Sequence, residues 1–124
     1  LPEPSKRLER AEASLRSAEL LLQEGLYRDS ASRAYYAMFH AARALLASKD
    51  SHPRTHGGVL REVSRSFVQP GLLDRSFAGD LGYALQLRQR ADYEDDLVVT
   101  EADARDVLER ARRFVSQARQ LLQE

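Results

Sequence analysis

The helix breakers in this chain fall at intervals that leave room for helices and little else. Pro2 and Pro4, Gly25, Pro53 with Gly57 and Gly58, and Pro70 with Gly71 divide 124 residues into helix-length stretches. Proline removes a backbone donor, and glycine ends a helix at low steric cost. Within the stretches, apolar residues recur every three or four positions, the period of an amphipathic helix. Leu8, Ala11, Leu15, Ala18 and Leu22 mark a first helix over about 5–24. A second begins after Asp29 or Ser30 and runs to about Lys49. A third, about 56–69, carries Val59, Leu60, Val63 and Phe67, and a fourth runs from about Asp74 to Asp92. The last starts at Thr100, whose spacing to Asp103 approximates a capping box, and presents Ala104, Val107, Ala111, Phe114, Ala118 and Leu121. Strand signals are nearly missing. The pattern predicts an all-α, up-and-down antiparallel bundle of about five helices, forming one domain over 1–124.

Charge narrows the function classes. Nineteen basic residues balance nineteen acidic ones, so no global field draws the protein onto nucleic acid, and any such binding must be local. The acids gather at Asp92, Glu94, Asp95, Asp96, Glu101, Asp103 and Asp106, which reads as a solvated loop leading into a helix N-terminus. Cysteine is absent; this excludes disulfides and thiolate zinc sites and agrees with a reducing, cytoplasmic setting. No apolar run is long enough for an export signal or a membrane span. Leu1 in place of Met suggests that the chain starts inside a longer encoded one. His52 and His56 lack further ligands nearby, so no metal and no cofactor is expected.

Two groups of residues depart from plain amphipathic helices. On the second helix Ala34, Tyr35, Ala37, Met38, Phe39, Ala41, Ala42, Ala44, Leu45 and Leu46 form a broad apolar arc, and Arg33, Tyr36, His40 and Arg43 fill the remaining stripe. That stripe is either an ordinary solvent face or a surface that holds a phosphate and stacks a base. An arc so rich in alanine lets neighbouring helices approach closely, and part of its cover can come from a second subunit. On the fourth helix Phe77, Leu81, Ala84, Leu85, Leu87 and Ala91 make the apolar arc, and the same projection puts Arg88 and Asp92 inside it. Isolated charges there cost several kcal/mol. The two therefore pair structurally, or line a cleft that ligand or water enters, or the helical phase differs from the projection.

"SRAYYAMFHAARALL" at 32–46, "THGGV" at 55–59, "LRQRADY" at 87–93 and the helical ending "ARRFVSQARQLL" together resemble the HEPN domain family, in its branch of small stand-alone prokaryotic proteins. The resemblance extends from about residue 5 to 122. It implies a dimerising helical bundle, often encoded beside a minimal nucleotidyltransferase as a toxin–antitoxin pair. Many relatives are metal-independent ribonucleases whose cleft at the dimer interface holds an Arg followed, after four to six intervening residues, by His. Arg88 matches that arginine. The histidine has no match: Tyr93, Glu94 and Asp95 stand at the corresponding positions after Arg88, and no histidine follows His56. His40 or His56 would have to reach the cleft from another helix or subunit. Tyr93 resembles the tyrosine that a transferase modifies in some related pairs. On this resemblance Arg88 contacts phosphate, Asp92 orients it, and Tyr93 joins them in the active cleft. Arg90, Arg33, Tyr36, His40 and His56 bind RNA or nucleotide. The implied function is a toxin–antitoxin protein with a degenerate endoribonuclease motif; the alternative is a non-catalytic helical dimer that holds a nucleotidyltransferase partner.

Overall fold

The computed structural model describes residues 3–123. Four long helices and one short one account for most of them: α1 Glu3–Gln23, α2 Tyr27–Ala47, α3 His56–Val63, α4 Arg75–Tyr93 and α5 Glu101–Gln123. A π-helical stretch, Ser64–Val68, prolongs α3. No strand occurs among the described residues. The up-and-down helical bundle expected from the breaker spacing is the fold.

The turns show how the sequence sets these boundaries. Gly25 adopts φ +76°, and the amide of Leu26 reaches back to the carbonyl of Leu21 at 2.9 Å, closing α1 with a left-handed residue that glycine tolerates best. Helix α2 begins at Tyr27, earlier than Asp29 or Ser30. Ser30 is not a cap, because its hydroxyl is buried and donates to the carbonyl of Ala18 at 2.8 Å. That bond ties α2 to α1. The capping box of α5 forms in both directions: Thr100 N–H donates to Asp103 at 3.0 Å and Asp103 N–H to Thr100 Oγ1 at 3.1 Å.

Helix α2 is the axis of the bundle and packs against all four other helices. Its alanines at 34, 37, 41, 42 and 44 are buried, so neighbouring backbones come close. The larger side chains Tyr35, Met38, Leu45 and Leu46 meet Leu108, Phe114 and Val115 of α5 within one core. Truncating Leu45 or Phe114 to Ala would remove about 2–5 kcal/mol, the usual cost of a large-to-small change in a close-packed core. The projected faces of α1 and α5 hold as well: Ala11, Ala18, Ala104, Val107, Ala111, Phe114 and Ala118 are buried, with Leu8, Leu15, Leu22 and Leu121 packed on them. No described helix is long and apolar enough to cross a membrane.

Candidate functional site

The candidate site grows from the outer edge of α2. Tyr35 and Tyr36 stand edge to face at 5.2 Å, Tyr35 and Phe39 stack at 5.8 Å, and Phe39 lies 4.6 Å from the ring of His56. Such ring spacings carry attraction beyond area burial. His56 arrives from α3 by a short-range device. Thr55 caps that helix, its hydroxyl accepting from Gly58 N–H at 2.9 Å. At Gly58 a Cβ would lie 2.8 Å from Thr55 Oγ1 and 3.3 Å from Pro53 Cβ, so the second glycine of "THGG" is sterically required. The cap sets His56 in the first turn, where its Nδ1 meets the Tyr35 hydroxyl.

Arginines complete the arrangement. The guanidinium of Arg88 lies 5.0 Å from the centre of the Tyr36 ring and 5.7 Å from that of Tyr35. Arg33 sits 4.7 Å from the Tyr36 ring and Arg43 5.6 Å from Phe39. All are within cation–π range. Arg88 also pairs with Asp92 at 3.5 Å across one helical turn. The result is a strip of rings flanked by guanidiniums on a chain of zero net charge.

Two expectations about charge placement need correction. Arg88 and Asp92 do not lie inside the core: their side chains are 22% and 49% exposed, and it is the tyrosine rings that shelter Arg88. The buried charge of α4 is Asp80, 7% exposed, gripped by Arg110 at 2.6 Å and approached by Arg113 at 3.7 Å. Asp80 falls on the apolar period between Phe77 and Ala84, a signal that was available in the sequence. His40 is not on a solvent-facing stripe either. It is 8% exposed because α1 covers that end of the stripe. Burial, then Arg10, Arg43, Arg7 and Arg33, push its pKa down to about 4, and among the described residues its Nδ1 has no hydrogen-bond partner.

The other expected residues divide. Arg33, Tyr36, His56 and Arg88 converge on one face, with Asp92 at its margin. Arg90 lies elsewhere: it bonds Glu94 at 3.0 Å and lines a cavity of about 170 Å³ with Tyr83, Leu97 and Asp103. Tyr93 is 86% exposed at the end of α4. The sequence reading missed Tyr35 as a polar contributor and Arg28, whose guanidinium donates to the carbonyls of Ala91 and Leu97, holding the end of α4 and the loop beyond it. The acidic run is largely engaged in pairing: Glu94 with Arg90, Glu101 with Arg105 and Asp106 with Arg110, while Asp103 serves the α5 cap. His52 pairs with Asp50 at 3.2 Å, well apart in role from His56. Among the described residues no cluster of His, Asp or Glu is arranged to hold a metal ion.

Comparison with known proteins adds to this geometry. The sequence profile of the HEPN domain matches residues 5–121. The chain is 37% identical over 117 residues to "Putative toxin MJ0605" of Methanocaldococcus jannaschii, a match spanning 94% of this chain and 87% of that one. It is 32% identical over 120 residues to "Putative toxin MJ0142" of the same organism, covering 97% and 82%. A 76-residue stretch is 50% identical to "UPF0332 protein PH1297" of Pyrococcus horikoshii, covering 61% of this chain and 54% of that one. The crystal structure of TT1696 from Thermus thermophilus superposes with a TM-score of 0.83 at 16% identity, over 98% of this chain and 99% of that one. At that identity the likeness bears on the fold alone.

Proposed function

The chain belongs to the HEPN domain family, and from that membership together with the arginine–aromatic strip we propose that it is the RNA-binding protein of a prokaryotic toxin–antitoxin module. The observation that carries this reading is the seating of Arg33 and Arg88 on the Tyr36 ring beside His56. Guanidiniums attract phosphate, and rings accept bases by stacking with little sequence preference. That is the composition of a single-strand RNA surface. Two relatives carry the word toxin in their names, which fits a protein that acts on RNA.

Three cavities of the fold lie away from the strip, lined by residues such as Tyr83 and Arg90, Phe77 and Arg112, or Leu8 and Leu122. A second copy of the chain, in a cytoplasmic homodimer, would turn the face into a cleft around Arg88, Asp92 and Tyr93. Ribonuclease chemistry would then draw on Arg88 for charge stabilisation. No histidine follows His56 in the sequence, and this favours a second reading: a non-catalytic helical dimer that holds a minimal nucleotidyltransferase.

Fluorescence anisotropy with a single-stranded RNA oligomer tests the first reading. Arg88→Ala should weaken binding about tenfold or more, the worth of a charge-assisted contact, while helical content and dimer mass stay the same. Wild-type binding should also fall as salt rises. Unaltered affinity in the variant would remove Arg88 from the site. Incubating the purified dimer with RNA, with and without chelator, then separates cleavage from binding alone. Copurification of a nucleotidyltransferase with a chain inert toward RNA would favour the second reading.

A further inference from the structure

Tyr35 and His56 carry the most constrained polar contact of the strip, and the constraint fixes where the imidazole keeps its proton. Tyr35 is almost wholly buried, and its hydroxyl faces Nδ1 of His56. Burial raises the pKa of the phenol, so the hydroxyl is protonated at neutral pH. Burial, followed by the charges of Arg88 and Arg43, lowers the pKa of His56, so the ring is neutral. A neutral imidazole has one N–H and one lone pair. If Nδ1 held the proton, two hydrogens would compete for a single contact. The phenol O–H, which has no other acceptor among the described residues, would be left unsatisfied in a buried place. A buried donor without a partner costs about 1–3 kcal/mol. Tyr35 therefore donates to Nδ1, and the ring proton resides on Nε2.

The second nitrogen of His56 is thus a donor, on the side of the ring away from Tyr35. Arg88 leans on the same two tyrosine rings that His56 touches, and Arg88 too offers only donors. We propose that His56 Nε2–H and the Arg88 guanidinium together form a phosphate-recognition pair for an RNA phosphodiester, with Tyr35 as the positioning residue that holds the imidazole in its Nε2–H form. Two donor groups that rest on the same pair of rings suit an oxyanion, which would meet Arg88 beside its Asp92 partner. With its lone pair occupied by Tyr35, His56 in this state holds phosphate and does not abstract a proton. The pair rests on the RNA-binding reading and assigns that face its phosphate contact.

Long-range proton–nitrogen NMR on the full chain labelled with ¹⁵N-histidine reads the tautomer directly, with His56 assigned through His56→Gln. The expected spectrum shows a pyridine-like Nδ1 and a pyrrole-like Nε2. Adding a short single-stranded oligouridine should shift the Nε2 signal in the wild type, and the shift should be lost in Arg88→Ala. Binding to the same oligomer provides a second measurement. The amide nitrogen of Gln stands where Nε2 stood and keeps the donor, so His56→Gln should bind within about threefold of wild type. His56→Asn retains only an acceptor toward Tyr35, so it should weaken binding about tenfold, one charge-assisted hydrogen bond. Tyr35→Phe should bring a mixture of tautomers; if that variant fails to fold, the wild-type spectrum and the Gln–Asn contrast decide. A pyrrole-like Nδ1 in the wild type, or equal losses in Gln and Asn variants, would overturn the pair and leave RNA binding by Arg88 standing. Absence of RNA binding by the wild type would overturn the parent reading, and the pair with it.

Discussion

The arginines of α5 and those of the α2–α4 strip are the same residue put to opposite uses. All five on α5 face carboxylates: Arg105 meets Glu101, Arg110 meets Asp80 and Asp106, Arg112 meets Glu19 and Glu109, Arg113 meets Asp80, and Arg119 meets Glu12. Four of these links tie α5 to α1 or α4. Of these arginines Arg110 also lies over a ring, that of Tyr83 at 4.6 Å; on the strip Arg33 and Arg88 share the Tyr36 ring, and of the two, among the described residues, Arg88 has an ion-pair carboxylate, Asp92. Carboxylates answer every α5 arginine, whereas at the strip two guanidiniums crowd one tyrosine ring with Asp92 beside Arg88. Net charge hides this contrast, since the chain sums to zero; what reveals it is the partner each guanidinium faces.

The comparison breaks most readily at Asp80. Removing this buried carboxylate takes from Arg110 its shorter contact and from Arg113 its contact at 3.7 Å, so Asp80→Ala should lower unfolding free energy by about 3 kcal/mol, the low end for breaking one side of a buried pair, because both arginines keep access to water. Arg88→Ala, at a half-open ion pair, should cost less than about 1 kcal/mol. Urea melts of the two variants check the contrast, and the folded fraction of Asp80→Ala should still bind RNA. Equal destabilisation would mean that Arg88 is as much scaffold as Arg110.

His40 gives the next effect, and it reports how deeply the strip's inner end is buried and, after that, how crowded it is with positive charge. Its folded pKa of about 4 lies below the ordinary value of about 6.5. The unfolded chain takes up the proton first, so stability is whole above about pH 6.5, falls as pH drops toward 4, and falls no further from this group below that. The loss is on the order of 3 kcal/mol, since each pKa unit is worth about 1.4 kcal/mol. Chemical melts from pH 7 to 4 should show this slope in the wild type and a flatter one in His40→Gln. Parallel slopes would mean that neither the burial of the ring nor the arginines around it impose a penalty on its protonation.

These two sites also mark where the sequence was legible and where it was not. Helices were legible because breaker spacing and three-four periodicity are local: the α5 capping box and the Gly25 stop needed no tertiary information. The family was legible from its motif blocks. Burial of charge was not, because periodicity places a residue on a face without saying what covers that face. His40 shares its stripe with Arg33 and Tyr36, yet α1 closes over one end and leaves the other open. Arg88 projects into an apolar arc, yet it lies at the edge where rings meet water, and Asp80, earlier on the same helix, is the group enclosed. The contact between Tyr35 and His56 joins residues 21 positions apart, which no pattern within one helix can register.

A smaller effect follows from the delivery of His56. Thr55→Ala removes the hydroxyl that accepts from Gly58 N–H and should cost about 1 kcal/mol, as loss of an N-cap does. The comparison sharpens if the same change also weakens RNA binding several-fold, because the first turn of α3 is what holds His56 against Tyr35. A cap variant that loses stability and keeps full affinity would show that the strip binds without help from α3.

The smallest effect belongs to Arg90, two residues from Arg88 and on the far side of α4. Two positions advance a helix by about 200°, so the two guanidiniums cannot serve one face, and Arg90 meets Glu94 in an exposed i,i+4 pair. Arg88 has a carboxylate of its own, Asp92, at the same i,i+4 spacing; what sets Arg88 apart is its place over the Tyr35 and Tyr36 rings. Arg90→Ala should leave RNA affinity and the melting curve unchanged within error, since exposed pairs of this kind contribute little. A loss of affinity comparable to that of Arg88→Ala would show that α4 binds through both faces. The division between arginines of the strip and arginines outside it would then fail on the helix where it is drawn most finely.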